Sequence, residues 1–437
     1  MKFQKKRIIE KCVFAILLIA YVAVTFFLFN RQTHSFSSVP DGNGKYIVEN
    51  NIYPSDMGYY VLDIEGLQDK YSYPYPVFFV LSKILSFLLD ARTGMALVTA
   101  LLNGAAVVLV RVYLEKLLVY ENDSDEVKLK TEILISIGTI SLFVLSMLYP
   151  PKGIYLPGIL FKYVGVFTPN PFHNATYLAA RPFAIVAFFS FAELLGRYEK
   201  DEHPDKAYFV FAAALLLATM TKPSYTILHV GAAGMIMLWR LIKGKNLKAF
   251  IMLGIMFIPT FLDLLYQYSG VFINKPAVDA LENEKGIGIG LGDVWNMYCG
   301  NIPLAVLLIV GFPVLVFVLE FALPKLIRLY ERTYNEKLKN VYALAIYIFI
   351  AGFLTNFFLY EKGFRKKDFN FAWGYMYGAF FAFVGALVIL INASKGIIKE
   401  KTRISSLFLV AEWAALFVHV VCGVIYLYDY LLGRSYF

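Results

Sequence analysis

An all-α polytopic membrane protein, one integral membrane domain over residues 1–437, is the fold class that this sequence predicts, and three observations predict it. Hydrophobic residues make up 59% of the chain and charged residues 17%, with a mean hydropathy of +0.61, far more apolar than the core of a soluble domain requires. Apolar runs near the roughly 20 residues needed to cross about 30 Å of hydrocarbon recur about eleven times. They lie near 11–29, 93–114, 131–149, 179–196, 207–221, 223–239, 249–266, 303–322, 341–359, 372–392 and 405–431. No alternating strand pattern competes, so these runs should be helices, which satisfy their own backbone in lipid.

The first run is an anchor, because Ala15–Phe29 leads into Asn30 and Arg31 with no small-residue cleavage site. Lys2, Lys5, Lys6, Arg7 and Lys11 precede it and place the N-terminus in the cytoplasm. Alternation then puts Arg240, Lys243, Lys245 and Lys248 inside, with Lys325, Arg328, Arg332, Lys337 and Lys339, and with Lys395, Lys399, Lys401 and Arg403. The C-terminus falls outside.

Residues 30–92 form the first external loop. Between Arg31 and Pro76 it holds Asp41, Glu49, Asp56, Asp63, Glu65 and Asp69 against Arg31, Lys45 and Lys70, and its tyrosines predict that it folds. Long loops of this kind tend to carry function. Asp41 is the leading candidate for a catalytic base, with Asp56 as its rival. Val77–Leu89, about thirteen residues after Pro74 and Pro76 and interrupted by Lys83, is too short to cross and reads as a helix in the outer interface.

Further along, Asn103 and Gly104 sit mid-span, where amide and small residues suit close helix contact. The outer segment before Ala180 is broken by Pro157, Pro169 and Pro171 and carries His173, the sequon Asn174-Ala175-Thr176 and Arg181. Thr221-Lys222-Pro223-Ser224 makes a tight outer turn. There Lys222 either snorkels or serves as a fixed cation for phosphate. Gly286-Ile-Gly288-Ile-Gly290-Leu-Gly292 opens no dinucleotide unit, so flexibility or membrane skimming is the expected role. Lys362, Arg365, Lys366 and Lys367 lie outside, against the positive-inside bias. They suit an anionic ligand or, more plainly, the anionic headgroups of membrane lipids.

Cys12, Cys299 and Cys422 are too scattered for a disulfide framework or a zinc site. The net charge of +9 is mostly topological lysine and arginine and implies no nucleic acid. Asp41 with Asp56 admits a divalent metal, but two carboxylates alone make no site.

The unusual polar residues collect on one face: Asp41, Asp56, His173, Arg181, Lys222, Asp263, Glu361, Arg365 and Asn370 all fall on or just under the outer surface. No nucleotide sugar reaches that side, so a transferase there needs an activated donor carried by the membrane, such as a polyprenyl-phosphate sugar. A carboxylate, Asp41 or Asp56, would take the acceptor proton. Arg181, Lys222 and Arg365 would stabilise the leaving phosphate, with Glu361 and Asn370 as further substrate-binding residues. His173 would orient the acceptor or act as an acid.

The order of first span, acidic outer loop, Tyr73-Pro74-Tyr75-Pro76-Val77-Phe78-Phe79, apolar helix and a span with Leu102-Asn103-Gly104 resembles the polyprenyl-phosphate-dependent membrane glycosyltransferases of the GT-C superfamily. Asp41, Tyr46 and Tyr53 occupy the places of that superfamily's loop acid and spaced tyrosines, and Thr221-Lys222-Pro223-Ser224 is similar to its lysine-proline turn. The firm part of the resemblance covers roughly the first 120 residues and that turn. It implies a short, single-module bacterial member in the plasma membrane, glycosylating a lipid, cell-wall polymer or surface glycan with inversion. Two other classes stay open. A polysaccharide polymerase would use external arginines and a long late loop. A lipid-linked glycan flippase or transporter would place charges at mid-membrane, where Asp263 and His229 come nearest.

Overall fold

The computed structural model describes residues 2–40, 45–53, 55–67, 73–149, 155–273, 286–327, 334–399 and 403–434. Helices dominate it. In chain order they are α1 (Lys2–His34), α2 (Met57–Glu65), α3 (Pro76–Ser86), α4 (Ala91–Leu118), α5 (Asp125–Val144), α6 (Ala175–Leu195), α7 (Lys206–Thr221) and α8 (Ser224–Gly244). Then come α9 (Leu247–Ile255), α10 (Ile258–Tyr268), α11 (Asp293–Tyr298), α12 (Ile302–Phe317), α13 (Leu323–Ile327), α14 (Glu336–Phe358), α15 (Ala372–Lys399) and α16 (Arg403–Leu431). Two short antiparallel pairs complete it: β1 (Ser37–Pro40) with β2 (Tyr46–Glu49), and β3 (Ile287–Ile289) with β4 (Leu359–Glu361).

Each of the eleven predicted runs falls on a helix or a bent helix pair. Among the described residues eight helices are long and apolar enough to cross a membrane, or nine if α9 and α10, bent by 50°, count as one span. The predicted runs outside that set are α5 and α7. The first two turns of α5 carry Asp125, Glu126, Lys128, Lys130 and Glu132, and α7 has only 16 residues.

The helices run alternately between two ends of the bundle, and polar ties mark each end. At one end Arg31 donates to the Leu431 carbonyl, Gln32 to the Phe172 carbonyl and Trp295 to the Gly165 carbonyl. At the other, Arg7 pairs with Glu132, Arg111 with Glu10 at 2.9 Å, and Lys395 with Asp123. The central element is α15, whose apolar window is entirely buried. Close approach makes this possible: a Cβ on Gly378 would stand 3.1 Å from the Phe349 Cα of α14.

The loop after α1 folds as expected. β1 and β2 form a hairpin, α2 follows, and α3 is an eleven-residue helix of about 16 Å, half the depth of a bilayer core. Phe78, Phe79 and Ser82 of α3 are buried while Val80 and Ile84 are exposed, an amphipathic division suited to an interface. Lys83, which interrupts the apolar run, reaches back to the Ile64 carbonyl at 3.0 Å and ties α3 to α2. The glycine-rich stretch is more ordered than a flexible loop: it pairs as β3 with β4, the strand that carries Glu361. Gly288 has no side chain because a Cβ there would come within 2.4 Å of the Tyr360 ring.

Candidate functional site

The end of the bundle that holds the α1–α3 loop gathers most of the predicted polar residues. Asn174 caps α6, its side chain accepting from the Tyr177 amide at 2.8 Å. The same side chain donates to the Asp56 carboxylate and to the Tyr60 hydroxyl, the latter at 3.2 Å. Tyr60 lies one turn along α2 from Asp56, at 3.5 Å, and its hydroxyl is 3.3 Å from that of Thr176. Thr176 in turn accepts from Lys222 Nζ at 3.2 Å. One chain of contacts thus runs from the loop carboxylate to the α7–α8 turn.

Lys222 is 6% exposed, and its ammonium lies 4.8 Å from the centroid of the Trp373 ring. Burial, reinforced by the Arg365 charge and opposed by Asp56, lowers its pKa to about 8. Burial raises Asp56, with Lys222, the Asn174 and Tyr60 hydrogen bonds and Arg365 pulling it back. Part of the Asp56 residue surface stays open, but protein surrounds the carboxylate itself closely enough for desolvation to dominate.

Glu361, at the end of β4, accepts from Asn370 at 3.0 Å and pairs with Arg365 at 2.8 Å. Asp368 supports Arg365 from the other side at 3.8 Å. A cavity of about 300 Å³ joins Lys222 to Glu361, Arg365 and Asn370, and Asp56 lies outside its lining, linked to it through Tyr60, Thr176 and Lys222. Lys222, Glu361, Arg365 and Asn370 supply its polar wall, and Ile227, Leu228, Leu264 and Val271 its apolar one, while Tyr75 and Trp373 close it at the sides. Tyr75 belongs to an aromatic cluster with Tyr73, Phe79 and Tyr60, so the Tyr-Pro run builds part of this wall.

His173 sits on the other side of Trp373, at 5.3 Å between ring centroids, and lines a second cavity of about 240 Å³. Burial, with the Lys222 charge, drives its pKa down to about 3, so the imidazole is neutral and not the cation that a phosphate site would want.

Arg181 does not join the cluster. It is fully buried inside α6 and donates to Asn103 at 3.2 Å and to the Pro169 carbonyl and Asn170 at 2.7 Å each. Its guanidinium also lies over the rings of Tyr177, Phe143 and Phe380. Placement one to two turns inside α6 makes it a staple between α4, α6 and the loop before α6, remote from both cavities. Asp263 bonds Gln267 at 2.7 Å and lines neither cavity. Asp41 lies outside the described residues. Among the described residues no three His, Cys, Asp or Glu side chains gather as a metal site would require.

Sequence reasoning missed Tyr60, Thr176 and the role of Asn174. The sequon drew attention to Asn174 for the wrong reason: a fully buried side chain holding a helix cap and a carboxylate accepts no glycan. The signal that would have found it is Asn at the start of an apolar helix pattern.

No family model, curated protein or solved structure matches the chain. Fold and site define a multi-pass helical membrane protein with a charged, partly apolar cavity at one end of the bundle.

Proposed function

We propose that the protein is an inverting membrane glycosyltransferase of GT-C-like architecture, with eleven membrane-crossing segments. It uses a polyprenyl-phosphate sugar at the outer face of a bacterial plasma membrane, with the N-terminus cytoplasmic and the C-terminus external. The observation that carries this reading is the convergence of Lys222 and Arg365 on a cavity that aliphatic side chains also line, with a carboxylate, Asp56, linked to the lysine through Tyr60 and Thr176. A lipid phosphate presents that combination of anion and hydrocarbon.

In the proposed step the acceptor oxygen bonds to the anomeric carbon on the face opposite the phosphate, and its proton passes to Asp56. The bond from the anomeric carbon to the phosphate oxygen breaks, and the electron pair leaves with the polyprenyl phosphate. Lys222 and Arg365 meet the developing charge, the lysine from a buried position where such stabilisation is strong. Glu361 and Asn370 hold Arg365 in place. The raised proton affinity of Asp56 suits a base that must accept a proton from a hydroxyl.

Transfer from a panel of radiolabelled polyprenyl-phosphate hexoses to an envelope lipid extract, by purified protein in nanodiscs, tests the reading. Transfer that Asp56→Asn abolishes supports it; no transfer from any donor by folded protein overturns it. Loss in Asp41→Asn with retention in Asp56→Asn would move the base to Asp41.

A further inference from the structure

Trp373 separates two cavities. The one holding Lys222 and Arg365 suits a lipid phosphate, and the one holding His173 has different chemistry. Its inner wall is Tyr163, Phe167, Phe369, Ala372 and Met376, all buried, and Lys367 and Asp368 stand exposed at its rim. Tyr298 stacks on Phe369 at 5.6 Å with 15° between the ring planes.

The backbone there is unusual. Four non-glycine residues among those described have positive φ, and two of them line this cavity: Phe167 at 68° and Phe369 at 55°. Bulky residues rarely adopt that conformation, and it persists where the surroundings impose it, commonly at binding sites. The two rings meet at 5.1 Å, so both strained residues serve one wall.

We infer that this cavity is a saccharide subsite, which makes the acceptor a carbohydrate end. A pyranose has an apolar C–H face and a polar hydroxyl edge. Flat aromatic walls, with the paired His173 Nε2 and Tyr163 hydroxyl, 3.4 Å apart, at one point and Asp368 at the rim, match that division. A polyprenyl tail would need a long aliphatic groove, whereas this space is about 240 Å³ and rimmed by charge. A second phosphate would need a cation inside, and the only ionised base in the lining, Lys367, stands at the rim. The acceptor role rests on the transferase reading; the binding of sugar does not.

The test is saturation-transfer NMR on the full chain in nanodiscs, with methyl β-D-glucopyranoside, methyl β-D-galactopyranoside, methyl α-D-mannopyranoside and their 2-acetamido counterparts as probes. Binding of polyprenyl phosphate is measured in parallel. Saturable binding of at least one glycoside, weakened five-fold or more by Tyr298→Ala and retained by Tyr298→Phe, is the expected result. A thermal melt establishes that each variant is folded, and Asp368→Ala replaces Tyr298→Ala if that variant is not. No saturable glycoside binding, or binding indifferent to every variant in this cavity, overturns the inference. If polyprenyl phosphate still binds in that case, the donor reading stands by itself. Glycoside binding with no affinity for polyprenyl phosphate would keep the subsite and remove the proposed donor.

Discussion

Asp56 and Asn174 stand 118 residues apart and share a hydrogen bond, so the cap of α6 is also the partner of the loop carboxylate. The α1–α3 loop is thereby fixed to the bundle at the position where its acid would act. Neither residue can be altered without changing the surroundings of the other.

Asn174→Ala removes both functions. Loss of the cap costs about 1 kcal/mol, and loss of the stronger of two hydrogen bonds to the Asp56 carboxylate adds about 1–3 kcal/mol, so the thermal midpoint should fall clearly. One of the hydrogen bonds that pull the Asp56 pKa down also disappears. The proton affinity of Asp56 therefore rises further. If Asp56 is the base, activity declines as pH falls through its pKa, and the acid limb of the pH–rate profile moves to higher pH in the variant. An unchanged acid limb in a folded variant would remove Asp56 from that role.

Lys222 sets the opposite limb. Its pKa is lowered to about 8, so it is protonated below that value and loses its charge as pH rises through it. Affinity for polyprenyl phosphate should decline above pH 8, with the midpoint drawn upward to the extent that bound anion stabilises the ammonium. In Lys222→Arg the decline should vanish below pH 10, because guanidinium stays charged. Binding titrations at several pH values in wild type and Lys222→Arg decide the matter.

Arg181→Ala should behave as a folding defect. It strips donors from Asn103, Asn170 and the Pro169 carbonyl inside the bundle, a loss on the order of 3 kcal/mol. The yield of folded protein and its melting point should drop, whereas Lys222→Met should leave both nearly unchanged. Retention of wild-type stability by Arg181→Ala, with loss of polyprenyl phosphate binding, would return Arg181 to the binding site.

Orientation is tested by labelling. In a background lacking Cys12, Cys299 and Cys422, Glu49→Cys should react with an impermeant thiol reagent added to intact cells, and Gly244→Cys should react only after lysis. The reverse pattern would invert the topology and place both cavities at the cytoplasmic face.

Much of the fold was legible because apolar length and proline breaks are local signals: each predicted run overlaps a helix or a bent helix pair, although 131–149 runs five residues past the end of α5. The loop 30–92 was legible as folded, and α3 as a short amphipathic helix, from Pro76 and the spacing of Phe78, Phe79 and Ser82. Lys222, Glu361, Arg365 and Asn370, which line one cavity, stood out in the sequence because polar and charged residues at span ends are conspicuous. Arg181 was misplaced because a single turn of helix separates a surface arginine from a buried one, and the acceptors that hold it come from residues 103, 169 and 170. Tyr60 and Thr176 were invisible, since an aromatic and a hydroxyl near a span end look like interface until a distant partner is known. Pairing of β3 with β4 joins segments about seventy residues apart and leaves no local trace.

The last helix completes what two earlier ones leave open. Beyond α5 the chain runs extended, with the Ser146 amide bonded to the His419 carbonyl at 3.1 Å and the Leu148 amide to the Leu308 carbonyl at 2.7 Å. The His419 ring donates from Nδ1 to the Ser146 carbonyl at 2.7 Å and accepts at Nε2 from the Phe312 amide at 3.2 Å, beside the kink at Val310 in α12. A ribosome delivers α5 and α12 to the membrane well before α16. Until α16 arrives, the Ser146 and Phe312 peptide groups that His419 serves lack those partners, at several kcal/mol each. Biogenesis is thus ordered from the end of the chain: a nascent protein stalled before residue 419 should be recognised as unfinished and degraded, however stable its first fifteen helices are in isolation.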